Sequence, residues 1–241
     1  MSLIKRLFFY NKIKKQKRIV SVFEELVGQN HMKNIEKNES EKNIEESLIE
    51  IVVEGQHSSN GILITDDGYF LTAKHCVDKN LERKSIRLYD GQIYPIEKVC
   101  AYAPNEDLAL VKANIPNKCV PKKYKILENS LEIMNPLEKI PVNLMTRIDG
   151  KIIKKYGFII PFHNYKILLE DEEKLISASN YLRLRISAKP GDSGGIVINT
   201  NKELIGIFCY GNKKNNATTA NSKKALGLIE FYKKQVQRRL I

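Results

Sequence analysis

From residue 48 onward, short runs of β-branched and aromatic residues alternate with turn-forming residues. Such runs favour strands over helices, because branched and aromatic side chains pack well on a pleated surface. The clearest unit covers 61–72, where the turn residues Asp66, Asp67 and Gly68 separate two apolar runs, a pattern typical of a β-hairpin. The pattern predicts an all-β body, an antiparallel barrel or sandwich, with a first turn at 58–61. Strands are expected at 48–54, 61–65, 69–72, 84–89, 92–100, 107–113, 140–147, 152–160, 165–170, 181–187, 195–200 and 204–210.

The two ends of the chain differ from this body. Residues 1–20 hold seven basic residues and no acidic one. They could form a basic amphipathic helix that binds an anionic membrane surface or a partner, or they could be a solvated tail. Residues 29–47 are polar and charged and predict a linker, or a helix stabilised only by Glu/Lys pairs. A C-terminal helix is predicted by apolar residues at helical spacing: Ala225, Leu228, Ile229, Tyr232, Val236 and Leu240.

Composition excludes several classes of protein. The 241 residues are 42% hydrophobic and 28% charged, which excludes a wholly disordered chain, and no uncharged apolar run is long enough to span a membrane. The net charge of +12 is read as a Lys-rich, solubilising surface, because no pattern for specific nucleic-acid recognition accompanies it. The first residues lack the apolar core and cleavage site of a signal peptide, so a cytoplasmic location is expected.

The four cysteines predict neither a metal site nor a disulfide framework. They stand at Cys76, Cys100, Cys119 and Cys209, with no C-x-x-C pair among them.

One segment predicts chemistry. Residues 189–195 place three glycines around Ser193 before an apolar run. Glycine accepts backbone angles that let N–H groups converge, so Ser193 could be a nucleophile beside an oxyanion pocket made by the N–H groups of Gly191 and Ser193. The alternative is an ordinary glycine-rich turn.

A serine nucleophile requires a base that a third group holds in place. His75 ends a predicted strand in the sequence Thr72-Ala-Lys-His75-Cys, and Asp107 opens another in Glu106-Asp107-Leu-Ala-Leu-Val. Either residue alone is usually structural. The occurrence of all three local contexts in one chain, in the order His, Asp, Ser, indicates a catalytic triad.

These motifs, together with Gly191-Asp-Ser193-Gly-Gly, resemble the three signatures of trypsin/chymotrypsin-like serine proteases. The resemblance implies two six-stranded antiparallel β-barrels with the site in the cleft between them, His75 and Asp107 coming from the first barrel and Ser193 from the second. It divides the chain into an extension at 1–47, a first barrel at 48–135, and a second barrel with the C-terminal helix at 136–241.

The resemblance also implies an activity: a serine endopeptidase that cleaves protein or peptide substrates without a metal or organic cofactor. The segment 206–211 resembles the strand that pairs with the substrate backbone in these enzymes, which assigns Cys209, Tyr210 and Gly211 to substrate binding. Ser187 would lie at the base of the primary specificity pocket, which predicts an uncharged or apolar preference.

Two departures from the family pattern make the chain look like the family's disulfide-poor, bacterial-type branch. Cys76 lacks its usual partner, since Asn60 and Gly61 stand in that region, and Lys189 and Pro190 replace the usual cysteine before the nucleophile. Activated members also expose a new Ile-Val-Gly-Gly terminus that pairs with the Asp before the nucleophile, here Asp192. That motif is absent at 51–54, although a cut after Arg18 would expose Ile-Val, and local hydrogen bonds could hold Asp192 instead.

Two other hypotheses compete with an active protease. A protease fold can lose its activity and persist as a non-catalytic or latent binding module. The third hypothesis is a basic surface protein in which the triad is incidental, and it leaves the three motifs unexplained.

Overall fold

The computed structural model describes residues 37–116, 126, 139–160, 167–169, 172–176, 181–211 and 216–238. Within these ranges the backbone is mostly strand, with one helix at each end. In chain order the elements are α1 (Lys37–Ser47), β1 (Leu48–Val53), β2 (Gln56–Leu63), β3 (Tyr69–Thr72), β4 (Lys84–Arg87), β5 (Ile93–Tyr102), β6 (Ala109–Ala113), β7 (Ile140–Ile148), β8 (Lys151–Ile159), β9 (Ile167–Leu169), β10 (Glu172–Ile176), β11 (Tyr181–Arg185), β12 (Ile196–Ile198), β13 (Leu204–Gly211), β14 (Asn216–Asn221) and α2 (Ser222–Arg238).

Twelve of these strands form two closed antiparallel barrels. The first has the order β1-β2-β3-β6-β5-β4, and the second has the order β11-β14-β13-β12-β7-β8. The predicted hairpin forms as β2 and β3, with Ile62 opposite Leu71. The expectation of an all-β protein with two six-stranded barrels is confirmed.

The predicted first turn is wrong. Residues 58–61 lie inside β2, and the chain turns instead at Glu54 and Gly55, whose φ angles are 52° and 82°. These two residues join Val53 to its partner Gln56 in a two-residue hairpin, where two consecutive positive φ angles suit the strand twist. Gly61 serves close packing, since a Cβ there would lie 2.9 Å from the carbonyl oxygen of Leu71.

The pattern also missed β10 and β14. Residues 216–221, Asn-Ala-Thr-Thr-Ala-Asn, contain no large apolar side chain, so they carry no strand signal. Their pairing comes from the neighbours: β14 lies between β11 and β13 and completes the second barrel.

Helix α1 covers the last part of the predicted linker and packs against the body. Ile44 is fully buried, and the guanidinium of Arg147, on β7, donates hydrogen bonds to the carbonyl oxygens of Glu45 at 2.6 Å and Leu48 at 2.9 Å. Packing stabilises this helix, in addition to any Glu/Lys pairs. The basic helix expected at 1–20, and the candidate cut after Arg18, lie outside the described residues.

Helix α2 follows the predicted apolar pattern. Ala225, Leu228, Ile229 and Val236 are buried, while Leu240 lies outside the described residues. The helix contacts β5 and β6 of the first barrel and β13 and β14 of the second. Over the described ranges, neither helix is long and apolar enough to cross a membrane.

Candidate active site

His75 and Asp107 are in direct contact. A short 3-10 helix at Lys74–Cys76, directly after β3, carries His75, and Asp107 lies two residues before β6. The carboxylate accepts two hydrogen bonds: His75 N–H donates to Oδ1 at 2.9 Å, and Oδ2 lies 2.5 Å from Nδ1 of the imidazole. The two contacts fix both the position and the ring orientation of His75 relative to the buried carboxylate.

These surroundings raise the pKa of His75. Burial lowers the pKa of the imidazole, but the hydrogen bond with Asp107, followed by the contact with Cys76, more than reverses this effect. The Cys76 Sγ atom lies 3.7 Å from Nε2 of His75. Because Asp107 occupies Nδ1, the Nε2 atom is the ring nitrogen left to exchange a proton with substrate or nucleophile.

The Ser193 segment begins with a tight turn. Asp192 N–H donates to the Lys189 carbonyl oxygen at 3.1 Å, and Gly191 has φ of 93°, so Pro190 and Gly191 occupy the central positions that suit a type II turn. Within the described residues, the N–H groups of Gly191 and Ser193 donate no hydrogen bond. Both are free to bind an oxyanion, as the sequence predicts, although their role stays a prediction.

The end of β13 brings the three predicted catalytic residues to one place. The Ser193 hydroxyl donates to the carbonyl oxygen of Cys209 at 3.3 Å, and the thiol of Cys209 contacts the carbonyl oxygen of Asp107 at 3.2 Å. The ring of Tyr210 stacks on the imidazole of His75, with centroids 5.2 Å apart. Within the described residues, Ser193 Oγ makes no hydrogen bond to His75.

The roles of the predicted specificity residues have less support from contacts than those of the predicted triad. Gly211 passes close to a neighbouring segment, since a Cβ there would lie 2.5 Å from the Cβ of Ala188 and 3.2 Å from the ring of Phe208. Ser187 is exposed. The substrate-binding roles of Ser187, Cys209, Tyr210 and Gly211 stay predictions.

Asn60 is a residue of the site that the sequence analysis missed. It is fully buried in β2, where its N–H donates to the Ser193 carbonyl oxygen at 2.7 Å and its side-chain amide donates to the Gly191 carbonyl oxygen at 2.8 Å. Nε2 of His57 also lies 3.0 Å from that Gly191 oxygen. In sequence, Asn60-Gly61 is typical of a turn, which hides this role. The one hint is the position of Asn60 between two apolar runs, which favours burial.

Close approach explains the glycine after Ser193. Gly194 has φ of 76°, and a Cβ there would lie 1.9 Å from the Asn60 carbonyl oxygen. Any side chain at position 194 would push the Ser193 segment away from β2.

The described cysteines are free thiols: Cys76, Cys100 and Cys209. Burial raises the pKa of the Cys209 thiol well above its ordinary value. Cys119 lies outside the described residues. Among the residues that the structure describes, no group of three His, Cys, Asp or Glu side chains could hold a metal ion.

Comparison with known proteins shows similarity to serine proteases. Residues 35–128, which include His75 and Asp107, match the family model described as Trypsin. The chain is 27% identical over 161 residues to a probable periplasmic serine endoprotease, DegP-like, from Marinomonas sp. (strain MWYL1), which covers 64% of this chain and 30% of the relative. It is 26% identical over 149 residues to the serine endoprotease DegS from Haemophilus influenzae, covering 61% of this chain and 40% of that protein. The chain thus matches less than half the length of either relative.

A solved structure shares the fold. The crystal structure of the serine endoprotease from Yersinia pestis superimposes with a TM-score of 0.61 at 19% identity, covering 84% of this chain and 68% of that one. The chain therefore resembles trypsin/chymotrypsin-like serine proteases in residues 35–128, in its two barrels and in its motif order.

Proposed function

We propose that the chain is a serine endopeptidase that hydrolyses peptide bonds in protein or peptide substrates through an acyl-enzyme intermediate. One observation carries the proposal: two consecutive residues at the end of β13 contact all three members of the predicted triad. The carbonyl oxygen of Cys209 accepts a hydrogen bond from Ser193, and its thiol contacts the carbonyl oxygen of Asp107. The ring of Tyr210 stacks on His75. These contacts support a common site for the proposed nucleophile, base and orienting residue at the end of β13.

The mechanism assigns one task to each group. Ser193 Oγ attacks the substrate carbonyl carbon while Nε2 of His75 takes the hydroxyl proton, and the carbonyl oxygen becomes an oxyanion held by the N–H groups of Gly191 and Ser193. His75 then returns the proton to the leaving amine as the C–N bond breaks, which leaves an acyl group on Ser193. Water activated by His75 hydrolyses this ester and restores the serine. Asp107 stays ionised and stabilises the imidazolium.

The first step requires the Ser193 hydroxyl to change partner. In the structure this hydroxyl donates to the Cys209 carbonyl oxygen at 3.3 Å, which is a long bond for O–H···O. Rotation about the Cα–Cβ bond of Ser193 breaks this weak bond and redirects the hydroxyl. Catalytic hydrogen bonds in unliganded enzymes commonly tighten only when substrate binds.

The same bond favours a second candidate function, a latent or non-catalytic module with the protease fold. In that case Ser193 would keep its bond to Cys209 and the cleft would bind peptide without cleaving it.

A fluorophosphonate–rhodamine probe separates the two candidates. This probe phosphonylates a serine only when a base and an oxyanion site activate it. We expect the wild-type protein to be labelled at Ser193. Labelling should disappear in Ser193→Ala and slow by about 10⁴-fold or more in His75→Ala. Ser85→Ala, which removes a half-buried hydroxyl from β4, is the control and should label normally.

A folded wild-type protein that resists the probe would contradict the active protease and support the latent module. Labelling that persists in Ser193→Ala would place the nucleophile elsewhere. Far-UV circular dichroism of each variant confirms that it is folded.

Location and further partners stay predictions. The name of the Marinomonas relative places that protein in the periplasm, and the expected cytoplasmic location of this chain is untested. Binding of residues 1–20 to an anionic surface is untested as well.

A further inference from the structure

Asp192 lies between the two residues whose N–H groups would bind the oxyanion, and it is completely buried. Its Oδ2 atom accepts a hydrogen bond from the N–H of Lys189 at 2.6 Å, at the start of the tight turn. Its Oδ1 atom has no hydrogen-bond partner among the described residues. A buried carboxylate is unfavourable unless a cation or several donors compensate its charge.

Lys155 supplies that cation. Its ammonium group contacts Oδ2 of Asp192 and donates a hydrogen bond to it. Lys155 lies on β8, far from Asp192 in sequence, and only 17% of its side chain is exposed. Water therefore screens this ion pair much less than a surface pair. The neighbouring Lys154 is turned to a different partner, with its ammonium 2.6 Å from the carboxylate of Glu45 on α1.

The Ile-Val pair at 51–52 cannot provide a terminal ammonium in this fold. Ile51 and Val52 lie inside β1, where both are fully buried and pair with β2 and β4. The cation beside Asp192 is instead the ammonium of Lys155, an internal residue.

We propose that Lys155 is a positioning residue for the reaction assigned above: its ammonium anchors Asp192 and so holds the Gly191 and Ser193 amides in place. The nucleophile segment is then set by the folded chain itself, and no cut N-terminus is needed to order it. This inference rests on the proposed function for its catalytic consequence, whereas the anchoring of the segment is independent of it.

The test compares four proteins: wild type, Lys155→Met, Lys155→Arg and the control Lys151→Met, which removes an exposed lysine from the same strand. Two measurements are made on each. The first is the rate of labelling by fluorophosphonate–rhodamine. The second is hydrogen exchange by mass spectrometry of peptides that cover 187–195, compared with peptides from β3 and β6.

We expect Lys155→Met to slow labelling by about tenfold to a hundredfold, because a displacement of about 1 Å at a reacting group has an effect of that size. Exchange should rise in 187–195 and stay unchanged in β3 and β6. Lys155→Arg keeps the charge and should restore both readouts to within about threefold of wild type, whereas Lys151→Met should match wild type.

Unchanged exchange of 187–195 in folded Lys155→Met would overturn the inference, whether or not the wild type reacts with the probe. Failure of the wild type to label, with raised exchange in Lys155→Met, would instead contradict the proposed function and leave the anchoring role supported. If the Met variant does not fold, Lys155→Gln keeps a donor without the charge and is measured in the same way. Unchanged exchange in that variant would also overturn the inference.

Discussion

An imidazole can act as a base toward a serine only when one ring nitrogen is free and the ring is held in place. In His75 the two hydrogen bonds to Asp107 satisfy the second condition, and they use only Nδ1 and the backbone N–H. The carboxylate also favours the protonated ring, which is the form that appears as Ser193 loses its proton. One buried residue therefore fixes the geometry of the proposed base and helps to raise its proton affinity.

The pH dependence of His75 follows from this contact. Burial lowers the pKa of the imidazole, but the contacts with Asp107 and Cys76 together outweigh it, so His75 should titrate above its ordinary pKa of 6.5. The proposed base works only when deprotonated, so fluorophosphonate labelling should rise with pH and reach half its maximum above pH 6.5. NMR of ¹³C-labelled histidine in Ser193→Ala measures the titration directly.

Asp107→Asn is the matched variant, since it keeps the shape of the side chain and removes the charge. The midpoint for His75 should then move to lower pH. A midpoint that does not move would show that Asp107 does not set the pKa of His75.

Residues that act through a local motif could be predicted from the sequence, and residues that act through tertiary contacts could not. His75, Asp107 and Ser193 each lie in a short recognisable context, and all three contact Cys209 or Tyr210 near the end of β13. Asn60 and Lys155 carry no such context. Their partners, Gly191 and Asp192, lie more than a hundred and more than thirty residues away along the chain, so only the folded barrels bring them together.

At the level of elements, α2 packs across both barrels. It buries Leu228 and Ile229 in the core cluster and contacts strands of each barrel, while Lys224 forms an ion pair at 3.1 Å with Glu106, the neighbour of Asp107. The helix thus supports the segment that positions the carboxylate.

Truncating the buried face of α2 should destabilise the whole protein. Ile229 is fully buried, so Ile229→Ala should lower the free energy of unfolding by about 2–5 kcal/mol through lost contacts and a cavity. Phe231, on the same helix, is 52% exposed, and Phe231→Ala should change it by less than about 0.5 kcal/mol. Urea unfolding followed by far-UV circular dichroism measures both. Equal effects of the two substitutions would contradict the packing described for α2.

Elements with an apolar pattern could be predicted, whereas elements defined by their neighbours could not. The spacing of α2 and the runs of β1 and β3 are visible in sequence because these elements bury large side chains. Strand β14 buries small and polar residues such as Thr219 and Ala220, and its existence depends on the open edges of β11 and β13. The turn at Glu54 is set by the register of the β1–β2 hairpin. Glu54 has a positive φ but is not a glycine, so its residue type does not mark the turn in the sequence.

Over the whole molecule, polar contacts hold the two barrels in one arrangement. Glu50, buried on β1, accepts a hydrogen bond from the N–H of Gly150 in the β7–β8 turn at 2.6 Å. The Arg147 guanidinium reaches from β7 to the carbonyl oxygen of Leu48, and the backbone N–H of Arg147 donates to Oδ1 of Asn60 at 2.8 Å. The position of Ser193 relative to His75 depends on this interface, because the two residues come from different barrels.

Asn60 links this interface to the proposed catalytic centre. Its side chain accepts from Arg147 on one side and donates to the Gly191 carbonyl oxygen on the other, so Asn60→Ala leaves the buried N–H of Arg147 without this partner and leaves the Gly191 oxygen with its contact to His57. An unpaired buried N–H costs about 1–3 kcal/mol, which predicts a clear loss of stability in urea. Labelling of Ser193 should also slow, because Gly191 loses a contact that orients its peptide. Asn114→Ala, at an exposed asparagine of the first barrel, is the control and should stay within about 0.5 kcal/mol of wild type.

A second substitution separates the two contacts. Asn60→Asp keeps an acceptor for the Arg147 N–H but turns an oxygen toward the Gly191 carbonyl, where two acceptors repel each other. It should therefore slow labelling at least as much as Asn60→Ala, even under conditions where circular dichroism shows the variant to be fully folded. Normal labelling of folded Asn60→Asp would mean that the first barrel does not orient the Ser193 segment through this amide, and that the barrel interface acts on stability alone.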